Sequence, residues 1–161
     1  MCGKAIFLDI DGVLNCAKTT RRLKCWSCMP FVDTRKVLRL RDIVERTGAQ
    51  LVLSSSWRVG RHEKAMYLDR MALIELEREF KRVRCPLWMD CTPLIPMVDR
   101  EVEVQKWLSQ HPEVDKFVIL DDVWEEFPNM REHLVVTTER DGLNKERAEL
   151  VVKMLGEKKD V

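Results

Sequence analysis

No stretch of this 161-residue chain stays apolar for the ~18 residues that a membrane-spanning helix needs. No charge sign dominates either: 28 Lys and Arg against 27 Asp and Glu leave a formal net charge of +1. That balance excludes a global electrostatic grip on nucleic acid or on an anionic membrane, and leaves only local patches. The opening MCGKAIFLDIDG lacks the basic, apolar, small-residue order of a secretion signal, so a cytoplasmic location is expected. Without an oxidising compartment, the six cysteines (Cys2, Cys16, Cys25, Cys28, Cys85, Cys91) read as reduced thiols. One alternative is zinc: Cys25 and Cys28 in CWSC have ligand spacing, and Cys85 and Cys91 offer two more ligands at an irregular spacing. Glycine and proline number six each and nowhere gather into a linker. With 45% hydrophobic and 34% charged residues, the composition fits one domain over 1–161 with one core.

What is present alternates. AIFLDI (5–10), LVLSSS (51–56) and KFVILDD (116–122) are short apolar runs that end abruptly in Asp or Ser, the pattern of buried parallel strands. CPLWMDCTPLIP (85–96) holds room for a third short strand before its prolines, and LVV (134–136) for another. Between them, Val37, Leu40, Ile43 and Val44 keep helical spacing from an Asp33 or Thr34 N-cap to a C-cap at Gly48. Residues 62–82 read as a helix with Met66, Leu73, Leu76 and Phe80 inward, and Val104, Trp107 and Leu108 mark another that stops near His111. A last helix, capped by Asn144, lines up Ala148, Val151, Val152 and Leu155. Strands alternating with helices imply an α/β fold whose parallel sheet is covered on both faces. The polar, basic segment at about 16–33 has no period and reads as a small flap.

In such a sheet, ligands bind beyond the carboxyl ends of the strands. Asp9, Asp11, Ser54, Asp121 and Asp122 all fall there. Four carboxylates repel one another at close range unless a cation lies between them. Magnesium suits the purpose, because it takes oxygen ligands and is usually shared between one or two carboxylates and a substrate phosphate. The Asp-x-Asp spacing followed by Gly12 lets one carboxylate attack while the other handles protons. A lone Asp-x-Asp is ordinarily a turn former, but a second acidic pair after another strand favours a site. Ser54 alone would equally serve as a helix N-cap, a job open also to Ser56. Arg58 reads as a surface or salt-bridge residue, and His62, His111 and His133 as structural or solvent-facing. Trp57, Trp88, Trp107 and Trp124 read as core, with Trp26 in the flap a candidate for base stacking.

These motifs resemble those of the haloacid dehalogenase (HAD) superfamily of phosphatases: DIDGVLN the first, LVLSSS the second, VILDD the fourth. LSSSWR, CTPLIP, VILDD and the closing DGL together resemble the phosphatase-like HAD domain of multi-domain (Swiss Army Knife) RNA-repair proteins, over essentially the whole chain. The resemblance implies a Rossmannoid three-layer α/β/α fold with a central parallel sheet and a minimal cap. It also implies a magnesium-dependent phosphomonoesterase. Asp9 would be the nucleophile and Asp11 the general acid and base. Ser54, the Ser55 amide and a basic third-motif residue would hold phosphate. That basic residue is Arg100 or, alternatively, Lys106. Metal would be held by Asp9, the Asp11 carbonyl, Asp121 and, through water, Asp122.

The segments between motifs are too short for a large cap, so an open site and a bulky substrate, such as a nucleic-acid end, are expected. Lys18, Arg21, Arg22 and Lys24, with Trp26, Arg58 and Arg61, offer cations and a stacking ring for a single strand. A small-nucleotide phosphatase, a phosphotransferase and a non-catalytic metal-binding module are the competing readings.

Overall fold

The computed structural model describes residues 3–19 and 31–158. The expected flap, with Arg21, Arg22, Lys24, Trp26, Cys25 and Cys28, therefore lies largely outside the described residues, as does Cys2. Among the described residues, five strands form one parallel sheet: β1 (Gly3–Leu8), β2 (Gln50–Leu53), β3 (Asp90–Cys91), β4 (Val114–Asp121) and β5 (Leu134–Val136). Their order is β3-β2-β1-β4-β5, so the first strand is the central one. The α/β reading and the parallel sheet hold, and each expected strand is present.

Alternation along the strands divides two apolar layers. Ile6, Leu8, Leu51, Leu53, Val118 and Leu120 face one side. There they meet α1 (Thr34–Thr47), α2 (Tyr67–Arg82) and α4 (Lys145–Leu155), through residues such as Leu40, Ile43, Leu76, Phe80 and Val151. Ala5, Phe7, Val52 and Ile119 face the other side, where α3 (Arg100–Gln110) contributes Val104 and Trp107. The Phe7 ring meets Trp107 edge-on, with centroids 5.3 Å apart. No described helix is long and apolar enough to cross a membrane.

Helix ends follow the expected chemistry at α1 and α4. The Asp33 carboxylate accepts from the Arg35 amide at 2.9 Å, and Gly48 ends α1 in the left-handed conformation. Asn144 caps α4 through the Arg147 amide at 2.9 Å. The reading of 62–82 needs correction: the helix starts at Tyr67, after a 3₁₀ turn at Ser56–Arg61. The Arg70 guanidinium folds back onto the carbonyls of His62, Glu63 and Ala65, which holds 62–65 as a separate turn. Met66, expected inward, is 73% exposed as a result.

The tryptophans and histidines divide as well. Trp57, Trp88 and Trp107 are buried, but Trp124 is 43% exposed, with the Arg131 guanidinium 4.2 Å above its ring. His111 stacks on Trp107 and His133 on Phe117. Cys85 is buried in the core, where desolvation pushes its thiol up to about 12, and Cys91 lies half-buried beside Arg61. Among the described residues the cysteines join no group of potential metal ligands.

Arg58 is not a surface cation. It is 5% exposed, and its guanidinium donates to the Ser55 carbonyl at 2.8 Å and to Glu103 Oε2 at 2.5 Å. Glu103 Oε1 accepts the Ile95 amide at 2.9 Å, so both carboxylate oxygens are used. Burial lowers the Arg58 pKa and Glu103 opposes that effect. The salt-bridge half of the sequence reading holds, and the nucleic-acid half does not, because a buried, paired guanidinium cannot follow a phosphate backbone. Removing one partner of such a pair strands a buried charge. Glu103→Ala is therefore expected to cost about 3–5 kcal/mol in urea unfolding. A loss within about 0.5 kcal/mol, the usual effect of a surface change, would mean that water replaces the carboxylate.

Candidate active site

Register decides which side chains share the carboxyl end of the sheet. Leu8 lies opposite both Leu53 and Leu120, so the residues that follow, Asp9, Ser54 and Asp121, fall side by side. The ladder continues through them: the Ser54 amide donates to the Leu8 carbonyl at 2.8 Å and the Asp9 amide to the Leu120 carbonyl at 2.9 Å. Asp9, Asp121 and Ser54 are each at most 2% exposed. One oxygen from each of Asp9, Asp121 and Asp122 lies within 4.8 Å of the others.

Gly12 permits this crowding. Its φ of +70° suits glycine, and a Cβ there would overlap the Asp122 carboxylate. Thr137 Oγ1 fixes the turn by donating to the Gly12 carbonyl at 2.9 Å.

Arg100 answers the negative charge. Its Nη1 lies 3.2 Å from Asp9 Oδ1 and 2.7 Å from Asp121 Oδ2. Asp99 takes the N-cap position of α3 without a side-chain cap bond; Glu126, from the loop after β4, accepts the Arg100 amide at 2.9 Å instead. The helix start is thus tied to the strand that carries Asp121. Lys106, the alternative basic residue, lies on the exposed side of α3.

The electrostatics follow from burial. Desolvation, and then the Asp121 charge, push Asp9 up to about 7, against the pull of Arg100 and a hydrogen bond from the Ser55 side chain. Burial also raises Asp121 and Asp122. Burial alone would lower Arg100, but Asp9 and Asp121 more than offset it and leave it raised.

Asp11 stands apart from the cluster. Its side chain is exposed, and both oxygens accept hydrogen bonds: Oδ2 from Trp57 Nε1 and Oδ1 from Asn15 Nδ2, each at 2.8 Å. Any contribution of Asp11 to a metal site would come from its main-chain carbonyl, as the motif resemblance implied. Ser55, rather than Ser54 or Ser56, is the N-cap of the following turn and accepts the Trp57 amide at 3.4 Å. The Ser54 hydroxyl accepts from Thr92 Oγ1 at 3.4 Å. Trp57 and Asn15 escaped sequence reading. The signal available was the position of Trp57, two residues beyond the serines.

A central parallel strand followed by Asp-x-Asp, flanked by strands that lead into Ser and into paired Asp, is the arrangement that the resemblance to the haloacid dehalogenase superfamily, a class of phosphatase-like hydrolases, implied. The chain belongs to the family described as the HAD domain in Swiss Army Knife RNA repair proteins, whose model matches residues 5–148. No curated protein and no solved structure matches it.

The donor set fits a hard divalent cation. It consists of three carboxylates, all raised in pKa by burial, faced by the single charge of Arg100. A consequence follows for stability in chelator. Folded Asp9 keeps its proton up to about 7, whereas an unfolded aspartate loses it near 4. Between those values the folded state binds more protons, so stability falls as pH rises. The melting temperature of metal-free protein is expected to drop from pH 5 to 8, less so in Asp9→Asn and less so with a divalent cation present. Identical profiles in the wild type and Asp9→Asn would mean that Asp9 is ionised throughout.

Proposed function

We propose that this chain is a magnesium-dependent phosphomonoesterase that works through an aspartyl-phosphate and acts on phosphorylated nucleic-acid ends. The observation that carries the chemistry is the alignment of Asp9, Ser54 and Asp121 across three adjacent strands, with Arg100 bridging two of them.

Asp9 is the nucleophile. Its carboxylate oxygen attacks phosphorus as the bond to the ester oxygen breaks, and Asp11 gives its proton to that leaving oxygen. The products of this step are a free alcohol, phosphorylated Asp9 and an Asp11 carboxylate. Asp11 then takes a proton from water, whose oxygen attacks the same phosphorus and releases phosphate, restoring both side chains. Ser54 and the Ser55 amide bind phosphoryl oxygens, and Arg100 balances their charge. Magnesium, held by Asp9, Asp121, the Asp11 carbonyl and, through water, Asp122, would keep Asp9 ionised and neutralise charge on the phosphoryl group.

The nucleic-acid assignment rests on membership of a family found in RNA-repair proteins. A small-nucleotide phosphatase, a phosphotransferase and a non-catalytic metal-binding module remain the competing functions.

Asp9→Asn is expected to abolish turnover and beryllofluoride trapping, since an amide is a poor nucleophile. Asp11→Asn is expected to lose about 10²–10⁴-fold with poor leaving groups. Near-normal turnover in Asp9→Asn would overturn the covalent route, and full activity in excess chelator the metal. Calcium, with longer bonds and looser coordination, should bind and support little turnover. Phosphate-ended RNA should outperform free nucleotides and sugar phosphates, with an efficiency that falls steeply with salt. A preference for the free nucleotide would move the assignment to a small-molecule phosphatase.

A further inference from the structure

Asp11 is held in a way that its surroundings do not require. An exposed carboxylate ordinarily samples several rotamers and satisfies itself with water. Here both oxygens are taken by side chains that are themselves fixed. Trp57 is 9% exposed and packed into the main core, so its ring cannot swing. Its indole N–H reaches across 46 residues of sequence to Asp11 Oδ2 at 2.8 Å. Asn15 is fixed by three bonds: it donates to Asp11 Oδ1 at 2.8 Å and to the Phe31 carbonyl at 3.4 Å, and accepts the Gly12 amide at 3.0 Å.

We infer that Trp57 and Asn15 are positioning residues that lock the Asp11 carboxyl in the orientation for proton transfer to and from the substrate. The inference rests on the phosphatase reading above and adds to it the groups that aim the general acid.

Two chemical points favour this role over incidental satisfaction of a buried indole N–H. Both donors are neutral, so they orient the carboxylate without the strong charge that Arg100 brings to Asp9. Each Asp11 oxygen spends one lone pair on its donor and keeps another for the travelling proton. The arrangement also joins the first two motifs. Trp57 stands on the turn that follows Ser54 and Ser55, so the acid is registered against the same loop that binds the phosphoryl group. A displacement of about an ångström at a proton donor costs on the order of 100-fold in rate.

The test is the burst rate of phosphoenzyme formation across esters of graded leaving-group basicity, from 2,4-dinitrophenyl phosphate to an alkyl phosphate. Trp57→Phe keeps an aromatic side chain at the site and removes the N–H. It should slow the burst on the alkyl ester on the order of 10- to 100-fold and leave the dinitrophenyl ester little changed, because that leaving group needs no proton. Beryllofluoride affinity should be retained, since Asp9 is untouched. In an Asp11→Asn background, Trp57→Phe should add nothing further.

Asn15→Ala, at a half-buried position, should act in the same direction and carries the test should Trp57→Phe not fold. Equal losses on every ester, or losses that add to those of Asp11→Asn, would overturn the inference and leave the two residues as supports of the fold. A wild-type protein that hydrolyses none of the esters with magnesium present would overturn the phosphatase reading itself, and the inference with it.

Discussion

The carboxyl edge of this sheet depends on one constraint. Three carboxylates are held closer than their charges favour, where burial has removed much of water's screening. Each neighbouring feature relieves that cost or makes room for it. Arg100 supplies a fixed positive charge between Asp9 and Asp121. The Ser55 side chain donates to Asp9, and the Val123 amide donates to Asp121 Oδ1 at 2.9 Å. Gly12 clears the space that Asp122 occupies.

Helix α3 carries much of this support, though among the described residues it alone of α1 to α4 packs on its face of the sheet. Arg100 serves the cluster, and Glu101 accepts both the amide and the side chain of Asn129. Glu103 neutralises Arg58, which in turn holds the Ser55 carbonyl, and Trp107 reaches Asp90 on the edge strand at 2.7 Å. A helix this weakly amphipathic owes its place to buried polar pairs as much as to Val104 and Trp107. Those pairs are costly to break and specific in geometry, which suits an element that must aim a guanidinium.

The two aspartates of the opening motif are two residues apart and occupy opposite electrostatic environments. Asp9 is buried, pushed up by desolvation and countered by a cation. Asp11 is exposed and held by neutral donors. The turn that follows β1, closed by the Val13 and Leu14 amides on the Ile10 carbonyl, produces the difference: it turns apart two alternate side chains that a continuing strand would keep on one face. Identical chemistry in two settings is a recurrent route to dividing nucleophilic from acid and base work.

The sequence by itself determined the parallel α/β fold, every described strand, Gly48 and Asn144 as caps of α1 and α4, and the candidates Asp9, Asp11, Ser54, Ser55, Asp121 and Asp122, with Arg100 or Lys106 as the basic residue. Most of these are local signals, an apolar run that stops, a helical period or a capping residue at a fixed offset, whereas Ser55 and Arg100 came from the motif resemblance. Tertiary structure decided what those candidates touch. It placed Arg100 rather than Lys106 against the carboxylates, through a Glu126 cap that no helical pattern announces. It buried Arg58 against Glu103, and exposed Met66 because Arg70 closes the turn before α2. It turned Trp57, which reads as plain core, into a donor for Asp11. In each case the partner lies on another element, and long polar side chains choose partners by where the chain folds. Periodicity records only which face is buried, and carries neither the register of the sheet nor the docking of one element on another, on which these contacts depend.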